Sequence, residues 1–300
     1  MLGVDNFDPF YDRARKEHNW REATRDHAPN AELLALDITD TGSLQAAFAR
    51  GPISGVIHLA GKAGVRPSIA DPAGYMHVNV TGTANVLDAA RVAGCSRVVI
   101  ASSSSVYGNA AVAPGMPFHE DLDVSRPISP YAASKRACEL LVHAHWHLHR
   151  QPVSLLRFFT VYGPRQRPDL AIAGFMKAIA AGEPIRVFGD GSTSRDYTFI
   201  HDIVAGVLAA YDKTPEHGYR IWNLGNHKPV SLAQMVNAIE RVVGKKAIIQ
   251  HEPMQQGDVE RTCADITRAQ KELGYAPRTS FEEGLARQWA AAESAFGIRD

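Results

Sequence analysis

Short apolar segments alternate with amphipathic helical segments along the first half of the chain, and this order restricts the fold more than any other feature. The apolar segments are rich in Val, Ile and Leu and poor in charge, as strands buried on both faces of a sheet are. They span Leu2–Asp5, Glu32–Asp37, Gly55–Ala60, Arg97–Ala101 and Val153–Phe158. The helical segments span Ser43–Phe48, Tyr75–Val92 and Tyr131–His149, and Asp40 precedes the first of them as a candidate N-cap. This alternation predicts a doubly wound, parallel α/β sheet.

The composition changes from about Gly163 onward, where Pro and Gly become frequent. Strand-like and helical segments mix there. The strand-like segments are Ile185–Phe188, Ile221–Leu224 and Ala247–Ile249, and the helical segments are Leu232–Val243 and Phe281–Phe296. A chain of 300 residues is long enough for about two domains. We therefore expect a first domain at residues 1–162 and a smaller, mixed α/β domain at residues 163–300, some segments of which return to the first domain.

Charge and cysteine content argue against several classes of protein. Lys and Arg number 32, as do Asp and Glu, and without a basic cluster this balance argues against nucleic-acid binding. No apolar run approaches the roughly 20 residues that span a bilayer, so we expect no membrane association, and no signal peptide is visible at Met1. The cysteines, which form no CxxC pair, are Cys95, Cys138 and Cys263. We expect reduced thiols and a cytoplasmic location.

A tyrosine and a lysine near the start of a predicted helix are the strongest candidates for chemistry. Tyr131 and Lys135 are four residues apart, which places both side chains on one helical face. A phenol is a poor base at pH 7, but a neighbouring ammonium favours its phenolate form, so the pair can act as a general base. Upstream, a serine run at residues 102–105 follows the fourth strand. Ligands bind at that end of the strands in doubly wound sheets, and hydroxyls there suit a sugar or a carboxylate, although a flexible loop is the alternative for the run alone.

Further short motifs occur along nearly the whole chain. They are Asp5-Asn6, Asp37-Ile38, His58-Leu59-Ala60-Gly61, Asn79-Val80-Thr81-Gly82-Thr83, Val106-Tyr107-Gly108, the run from Arg157 to Arg165, Arg195-Asp196-Tyr197, His201-Asp202 and Gly257-Asp258-Val259. With the serine run and the Tyr131–Lys135 pair, they resemble the motifs of the extended short-chain dehydrogenase/reductases, specifically the NAD-dependent nucleotide-sugar epimerases and dehydratases. The resemblance implies a Rossmann-like fold, NAD as the cofactor and a UDP-sugar as the substrate.

The resemblance assigns contacts with the cofactor position by position. Asp5 and Asn6 match the pair that holds the adenosine ribose of NAD, and an acid after a strand is the usual choice for NAD. Lys135 matches the residue that binds the nicotinamide ribose. Asp37 and Ile38 match the residues that flank the adenine. The loop that follows the cofactor after the third strand corresponds to Leu59, Ala60, Gly61 and Lys62, with Lys62 near the phosphates. Asn79 matches a helix residue that supports the site, and Phe158 matches the strand end that faces the nicotinamide.

The resemblance also implies the catalytic and substrate-binding residues. Ser103 matches the residue that hydrogen-bonds the reacting hydroxyl, Tyr131 matches the base, and Lys135 tunes Tyr131. Cations beside a strand end suit a diphosphate, which planar guanidinium groups bind well. The positions expected to contact uridine diphosphate are Arg165, Arg167, Arg195 and Asp258.

Two positions at the end of the serine run distinguish the reactions of this family. Dehydratases carry Asp-Glu there and decarboxylases a Glu, whereas this chain has Ser104 and Ser105, so both reactions are disfavoured. The opening Asp5–Asp12 and the run Phe159–Asp169 are similar to those of UDP-glucuronate 4-epimerases. The similarity implies epimerisation at C4 through a 4-keto intermediate, with Ser104, Ser105 and Thr160 as candidates to hold the C6 carboxylate against loss of CO2.

Other interpretations stay open. Within the enzymes they are a UDP-glucose 4-epimerase and a UDP-glucuronate decarboxylase, which product analysis would separate. In a different class, the chain is a catalytically impaired fragment or a non-enzymatic nucleotide-sugar-binding protein, which a lack of NAD binding would indicate. The intact Ser103, Tyr131 and Lys135 favour an enzyme.

Two predicted helices carry expectations about assembly and metal binding. In relatives the helices that correspond to residues 75–94 and 131–150 pack in a homodimer, so the resemblance implies a homodimer here. Within the second helix, histidines alternate and form pairs with the spacing of metal ligands, and they are His143, His145, His147 and His149. Because alternation by two spreads them around the helix, and no zinc motif accompanies them, we expect a partly exposed face and no metal site.

The start of the chain differs from the family pattern. That pattern begins with a strand, a Gly-x-x-Gly-x-x-Gly turn and a helix, whose amides hold the pyrophosphate of NAD. No such glycine pattern precedes Asp5. We therefore expect an N-terminally truncated Rossmann-like sheet, roughly 20–30 residues short of the pattern, with unpaired strand edges, weak NAD affinity and marginal stability.

Overall fold

Strands and helices alternate along the chain as the sequence pattern predicts, in a computed structural model that describes residues 1–109, 115–253 and 260–296. The strands are β1 (Leu2–Asp5), β2 (Glu32–Ala35), β3 (Gly55–His58), β4 (Arg97–Ser103), β5 (Val153–Phe158), β6 (Thr160–Tyr162), β7 (Pro184–Phe188), β8 (Ser194–Phe199), β9 (Tyr219–Leu224), β10 (Pro229–Ser231) and β11 (Ile248–Glu252). The helices are α1 (Arg13–Thr24), α2 (Thr41–Phe48), α3 (Val65–Ala70), α4 (Pro72–Met76), α5 (Gly82–Val92), α6 (Pro130–His149), α7 (Ala171–Ala181), α8 (Ile200–His217), α9 (Leu232–Val243), α10 (Thr267–Leu273) and α11 (Phe281–Phe296).

The described residues group into two units, and each unit draws on separate stretches of the chain. The first contains residues 1–101, 129–155 and 214–220, and the second contains residues 102–128, 156–213 and those from 221 onward. Residues 102–128 and 156–162, which precede the expected boundary, therefore belong to the second unit. Residues 214–220, which follow it, belong to the first unit. The second unit contains more residues than the first, whereas the sequence analysis expects it to be the smaller.

Parallel strand pairs form the sheets of the first unit. β1 pairs with β2, with Leu2 opposite Glu32, and β3 pairs with β4, with Gly55 opposite Arg97. The order of the larger sheet is β3-β4-β5-β9. Among the described residues β1 pairs only with β2, and β3 only with β4, so each has an unpaired edge. Side chains of β1 and β3 nevertheless pack against one buried cluster, which comprises Ile38, Leu44, Val86 and Ala89.

The second unit combines parallel and antiparallel strands with helices. β8 lies between the parallel strand β6 and the antiparallel strand β10, and β7 pairs in parallel with β11. The core of this unit includes Met176 of α7, Ile239 of α9 and Leu285 of α11, all of which are buried. The mixed α/β character that the sequence predicts for this part of the chain is confirmed.

Capping residues explain where several helices begin. Asp40 accepts a hydrogen bond from the backbone of Ser43 at 3.1 Å at the start of α2, as expected. Ser129 does the same for Ala132 at 3.1 Å at the start of α6, where Pro130 occupies the first turn. The bounds expected for α9 and α11 are confirmed. Within the described ranges, no helix combines the length and the apolar character needed to cross a bilayer.

A π-helical turn at His77–Thr81 joins α4 to α5, in the middle of the helix predicted at residues 75–92. The N–H of Gly82 bonds to the carbonyl of His77, five residues earlier. Such a turn is wider than an α-helical turn and is frequent at functional sites. The periodicity of apolar residues does not reveal it, because the flanking segments keep ordinary helical spacing.

Candidate active site

Tyr131 and Lys135 lie on the first turns of α6, where the cap at Ser129 fixes the start of the helix. The ammonium of Lys135 donates a hydrogen bond to the carbonyl of Ala101 in β4 at 2.9 Å, and the side chain is only 7% exposed. The ring of Tyr131 packs edge-on against that of Tyr75, with 6.1 Å between centroids. A strand carbonyl therefore holds the cation at a fixed place on the helical face that carries the phenol.

His58 is a buried neighbour of this cation that the sequence analysis does not single out. It ends β3 and lies 3.1 Å from the hydroxyl of Thr83, measured from Nε2 to Oγ1. Burial and, to a smaller extent, the charge of Lys135 together lower the pKa of His58 to about 3. The imidazole is therefore neutral at physiological pH and does not compete with Lys135 as a cation.

Asn79 binds the loop that follows β3, from within the π-helical turn. Its Oδ1 accepts from the N–H of Lys62 at 2.8 Å, and its Nδ2 donates to the carbonyl of Lys62 at 3.0 Å and to the hydroxyl of Ser134 at 2.9 Å. Gly61 has a φ of +157°, and a Cβ there would lie 2.8 Å from Asn79 Oδ1. The glycine is thus required for the close approach of the loop to this carboxamide.

Lys62 lies between two carboxylates that the sequence analysis does not assign to the site. Its ammonium is 3.7 Å from Asp8 Oδ2 and 3.7 Å from Asp71 Oδ2. Both pairs are partly exposed, so they orient the lysine while contributing little stability. The preceding residues of the loop, Leu59 and Ala60, are exposed, with Leu59 at 57%.

The candidate residues for the ribose and the adenine of the cofactor meet at the carboxyl ends of β1 and β2. Asn6 donates to Asp37 Oδ2 at 2.7 Å, and Asp37 also accepts from the N–H and the hydroxyl of Thr39 at 2.8 and 2.7 Å. Burial raises the pKa of Asp37, but the hydrogen bonds from Thr39 and Asn6 outweigh it and hold the pKa below its usual value. Asp5 accepts from the N–H of Phe7 at 2.7 Å. The carboxylate of Asp5 and the amide of Asn6 form a set of groups that fits ribose hydroxyls.

Ile38 differs from the other candidates in this region. Its side chain is only 7% exposed and belongs to the core of the first unit. Its carbonyl accepts a hydrogen bond from Asn85 at 3.0 Å. The side chain of Ile38 therefore packs in the core next to Asp37. The contact with adenine that is expected of Ile38 stays a prediction.

In the second unit, Ser103 ends β4 and caps a 3₁₀ turn at Ser104–Tyr107. Its hydroxyl accepts from the N–H of Ser105 at 3.1 Å, and its side chain is 8% exposed. Ser104 and Ser105 are more accessible than Ser103. The serine run therefore forms a turn that is closed by a hydrogen bond between two of its own residues.

A buried arginine supports this turn, although the sequence analysis gives it no role. Arg157 is 1% exposed and donates from Nη1 to the hydroxyl of Tyr107 and to the carbonyl of Glu120, both at 3.0 Å. Tyr107 in turn donates to Asn223 Oδ1 at 2.7 Å. Burial raises the pKa of Tyr107 far above its usual value, so the phenol stays protonated and keeps donating to Asn223.

The candidates that follow β5 lie in strands and in a turn. Phe158 ends β5, and Thr160 begins β6 opposite Tyr197 of β8. Arg165 adopts a φ of 64° in the turn after β6. Arg167 pairs with Asp169 through two hydrogen bonds of 2.9 and 2.7 Å. A diphosphate would have to share or displace this partner of Arg167.

Arg195 lies beside a buried carboxylate that organises its surroundings. Arg195 donates from Nη1 to the carbonyl of Ser194 at 2.9 Å. The next residue, Asp196, is fully buried and accepts from the backbone N–H groups of Asn226, His227 and Ala264 at 2.7, 3.0 and 2.8 Å. Burial raises the pKa of Asp196 in spite of these bonds. Asp258, the other candidate for the diphosphate, lies outside the described residues.

The histidines of α6 take part in local contacts. His145 hydrogen-bonds Gln151 at 2.8 Å and packs against His149 with 4.8 Å between ring centroids, while His143 packs against Tyr219. In the part of the chain that the structure describes, no group of three or more His, Cys, Asp or Glu side chains could hold a metal ion.

Comparison with known proteins gives consistent matches over nearly the whole chain. A family model described as GDP-mannose 4,6 dehydratase matches residues 1–288. The UDP-glucuronate 4-epimerase of Thermodesulfobacterium geofontis is 43% identical over 288 residues, which cover 96% of this chain and 86% of that protein.

Solved structures also match the fold of this chain over nearly its whole length. The UDP-glucuronic acid 4-epimerase of Bacillus cereus, in complex with UDP-glucuronic acid and NAD, has a TM-score of 0.89 and 30% identity, covering 98% of this chain and 91% of its own. The UDP-glucose 4-epimerase of Thermotoga maritima, with UDP-glucose, has a TM-score of 0.86 and 26% identity, with the same coverage of 98% and 91%.

Proposed function

The chain belongs to the GDP-mannose 4,6-dehydratase family of NAD-dependent epimerases and dehydratases, and from this premise we propose that it epimerises C4 of a UDP-sugar, with UDP-glucuronate converted to UDP-galacturonate. The observation that carries the proposal is the pairing of Tyr131 with Lys135, whose ammonium is fixed on the carbonyl of Ala101 at 2.9 Å. A cation held on the helical face of a phenol favours the phenolate, which can take a proton from a sugar hydroxyl.

The residues of the first unit suit NAD as the cofactor. Asp5 and Asn6 would hold the adenosine ribose, and Asp37 would flank the adenine. Lys62 would lie near the phosphates, and Lys135 would bind the nicotinamide ribose. When bound, NAD supplies a reversible acceptor for hydride. The chain itself positions the sugar and moves the proton of its 4-hydroxyl.

Proton transfer in both directions follows from Tyr131. The phenolate takes the proton of the 4-hydroxyl while the carbon becomes a ketone, and Ser103, as the family pattern implies, hydrogen-bonds that oxygen. After the ketone has turned over in the site, hydride would return to the opposite face of C4, and Tyr131 would give the proton back to the 4-oxygen. A cation beside the phenol, here the side chain of Lys135, lowers the free-energy cost of forming the phenolate.

The preference for epimerisation over dehydration and decarboxylation rests on the absence of a carboxylate at the end of the serine run. The preference for a glucuronate rests on the similarity of the run Phe159–Asp169 to that of UDP-glucuronate 4-epimerases. Ser104 and Ser105 stand where dehydratases carry Asp-Glu, and the 3₁₀ turn presents them in a fixed arrangement. A 4-ketone makes the C6 carboxylate a β-keto acid, which loses CO2 readily. Hydroxyls of Ser104, Ser105 and Thr160 would hold this carboxylate out of the alignment that allows the loss.

We also propose a homodimer in a reducing compartment. Apolar side chains on α5 and α6 are exposed: Val92 at 67%, Leu140 at 57% and Leu148 at 71%. A second copy that packs on these helices would bury them. The described cysteines are all buried, free thiols, which supports the expectation of a reducing environment.

Product analysis tests the proposed reaction. The purified chain, supplied with NAD, is incubated with UDP-glucuronate and separately with UDP-glucose, and the products are separated by chromatography. We expect UDP-galacturonate from the first substrate and a loss of roughly 10²–10⁴-fold in rate for Tyr131→Phe, the range typical of acid–base catalysis. Tyr211→Phe, on α8 of the second unit, is the matched control.

Other products would replace the proposal with a specific alternative. Conversion of UDP-glucose alone indicates a UDP-glucose 4-epimerase, and a UDP-pentose as the main product indicates a decarboxylase. No turnover together with no calorimetric signal for NAD indicates a fragment or a binding protein without catalysis.

A further inference from the structure

The hydroxyl of Ser134 lies at the centre of a chain of hydrogen bonds that no assignment so far explains. Ser134 is fully buried and stands directly before Lys135. Its Oγ accepts from Asn79 Nδ2 at 2.9 Å and donates to the carbonyl of Tyr131 at 2.8 Å. Asn79 in turn holds the N–H and the carbonyl of Lys62 at 2.8 and 3.0 Å. Two side chains thus connect the backbone of the loop after β3 with the backbone of the candidate base.

The carboxamide of Asn79 has no hydrogen-bonding capacity to spare on its donor side. Its two amide protons serve the Lys62 carbonyl and the Ser134 hydroxyl, and its oxygen accepts from Lys62 N–H. The side chain is only 2% exposed, so water cannot easily replace a lost partner. Removal of the Ser134 hydroxyl would leave one buried N–H unpaired and loosen the grip of Asn79 on the loop.

The π-helical turn explains how one side chain reaches both places. Asn79 is the central residue of His77–Thr81, and its own carbonyl accepts from the thiol of Cys138 at 3.2 Å in α6. The wider turn therefore contacts α6 through its backbone and the loop through its carboxamide. A π turn interrupts the regular α-helical hydrogen bonds, and such turns are frequent at functional sites.

An ordinary structural role for Ser134 would look different. A serine inside a helix commonly bonds the carbonyl three or four residues earlier and nothing else of consequence. Ser68 in α3 is such a case, because it is also fully buried and donates to the carbonyl of Val65, three residues earlier, at 2.5 Å. Ser134 makes the same bond and, in addition, completes the carboxamide that holds the loop.

We propose that Ser134 is a positioning residue that couples the placement of Tyr131 to the loop at Leu59–Lys62. The inference rests on the proposed function, in which Tyr131 is the base and this loop follows the cofactor. Through Ser134, the segment that would hold the phosphates and the residue that moves the proton adopt one mutually fixed arrangement. Misplacement of a catalytic group by about 1 Å can cost 10²-fold in rate.

Kinetics of matched variants test the positioning role. For Ser134→Ala we expect kcat to fall roughly 10- to 100-fold, with KM for the UDP-sugar within about threefold, because the phenol is displaced while the sugar contacts remain. Ser68→Ala, which removes an equally buried hydroxyl, should leave kcat near that of the wild type. The double variant Asn79→Ala/Ser134→Ala should be no slower than Asn79→Ala, because both residues act through one connection.

Amide hydrogen exchange tests the coupling without relying on activity. The N–H of Lys62 is protected by Asn79 Oδ1, so Ser134→Ala should speed its exchange about tenfold or more, and Ser68→Ala should not. Unchanged exchange at Lys62, or an unchanged kcat in an active enzyme, overturns the inference. Faster exchange in a chain whose wild type does not epimerise overturns the proposed function and leaves the coupling supported.

Discussion

The buried histidine at the end of β3 gives a prediction about acid stability whose sign and size follow from the structure. His58 is 5% exposed, and burial lowers its pKa from 6.5 to about 3. Between these two values the unfolded chain binds a proton that the folded chain does not. The neutral His58 therefore costs no folding stability above pH 6.5. Between pH 6.5 and pH 3 the free energy of unfolding decreases progressively as the pH falls.

The expected loss is large enough to measure. Each pKa unit corresponds to about 1.4 kcal/mol, and integration from pH 7 to pH 5 with these two pKa values gives a loss of about 2 kcal/mol from His58 alone. Urea unfolding of the wild type and of His58→Gln at pH 7, 6 and 5 isolates this contribution, because the other titrating groups are common to both. Glutamine is neutral at every pH and can still hydrogen-bond Thr83.

The comparison has a matched control and a clear contrary result. His18→Gln, which removes an exposed imidazole from α1 of the same unit, should keep the pH dependence of the wild type. If the wild type and His58→Gln lose the same free energy of unfolding between pH 7 and pH 5, the reasoning is refuted. Should His58→Gln not fold, NMR decides instead: the ring protons of His58 should not shift over this range while the wild type stays folded.

Three further substitutions test the loop after β3, the proposed contact with the C6 carboxylate and the proposed dimer interface. Gly61→Ala places a Cβ 2.8 Å from Asn79 Oδ1 at a φ of +157°; we expect a loss of about 1–3 kcal/mol in stability and weaker NAD binding by calorimetry, whereas Gly51→Ala, with nothing within 4 Å, should be neutral. Thr160→Val should release part of the product as a UDP-pentose, and chromatography that detects none, with carboxylate discrimination unchanged, counts against the clamp on C6. Leu140→Glu places a charge on a side chain that is 57% exposed on α6; light scattering should find monomers, and a retained dimer would locate the interface elsewhere.

Local patterns in the sequence predict the parts of the fold and of the site that depend on neighbouring residues. The bounds of α9 follow from its apolar periodicity, and the shared face of Tyr131 and Lys135 follows from their spacing. Ser134 lies within the same few residues, yet its importance depends on Asn79, 55 positions away. A hydrogen bond across that separation leaves no trace in local composition, and a buried serine such as Ser68 has the same local appearance.

The interleaving of the two units is hidden for a related reason. The change in composition near Gly163 is real, but residues 102–128 belong to the second unit because of contacts with distant strands, such as that between Tyr107 and Asn223. Arg167 shows the limit at short range. A cation after a strand end suggests a phosphate contact, and only the geometry of the turn shows that Asp169 already binds it.

The carboxylate of Asp196 has a consequence for the order in which the chain folds. It gathers backbone N–H groups from residues 30, 31 and 68 positions further along. Closing such loops costs chain entropy before any bond compensates for it, so this junction should form after the transition state of folding. Asp196→Asn should then accelerate unfolding and leave the refolding rate nearly unchanged. The surroundings of Arg195 would be among the last parts of the molecule to become native.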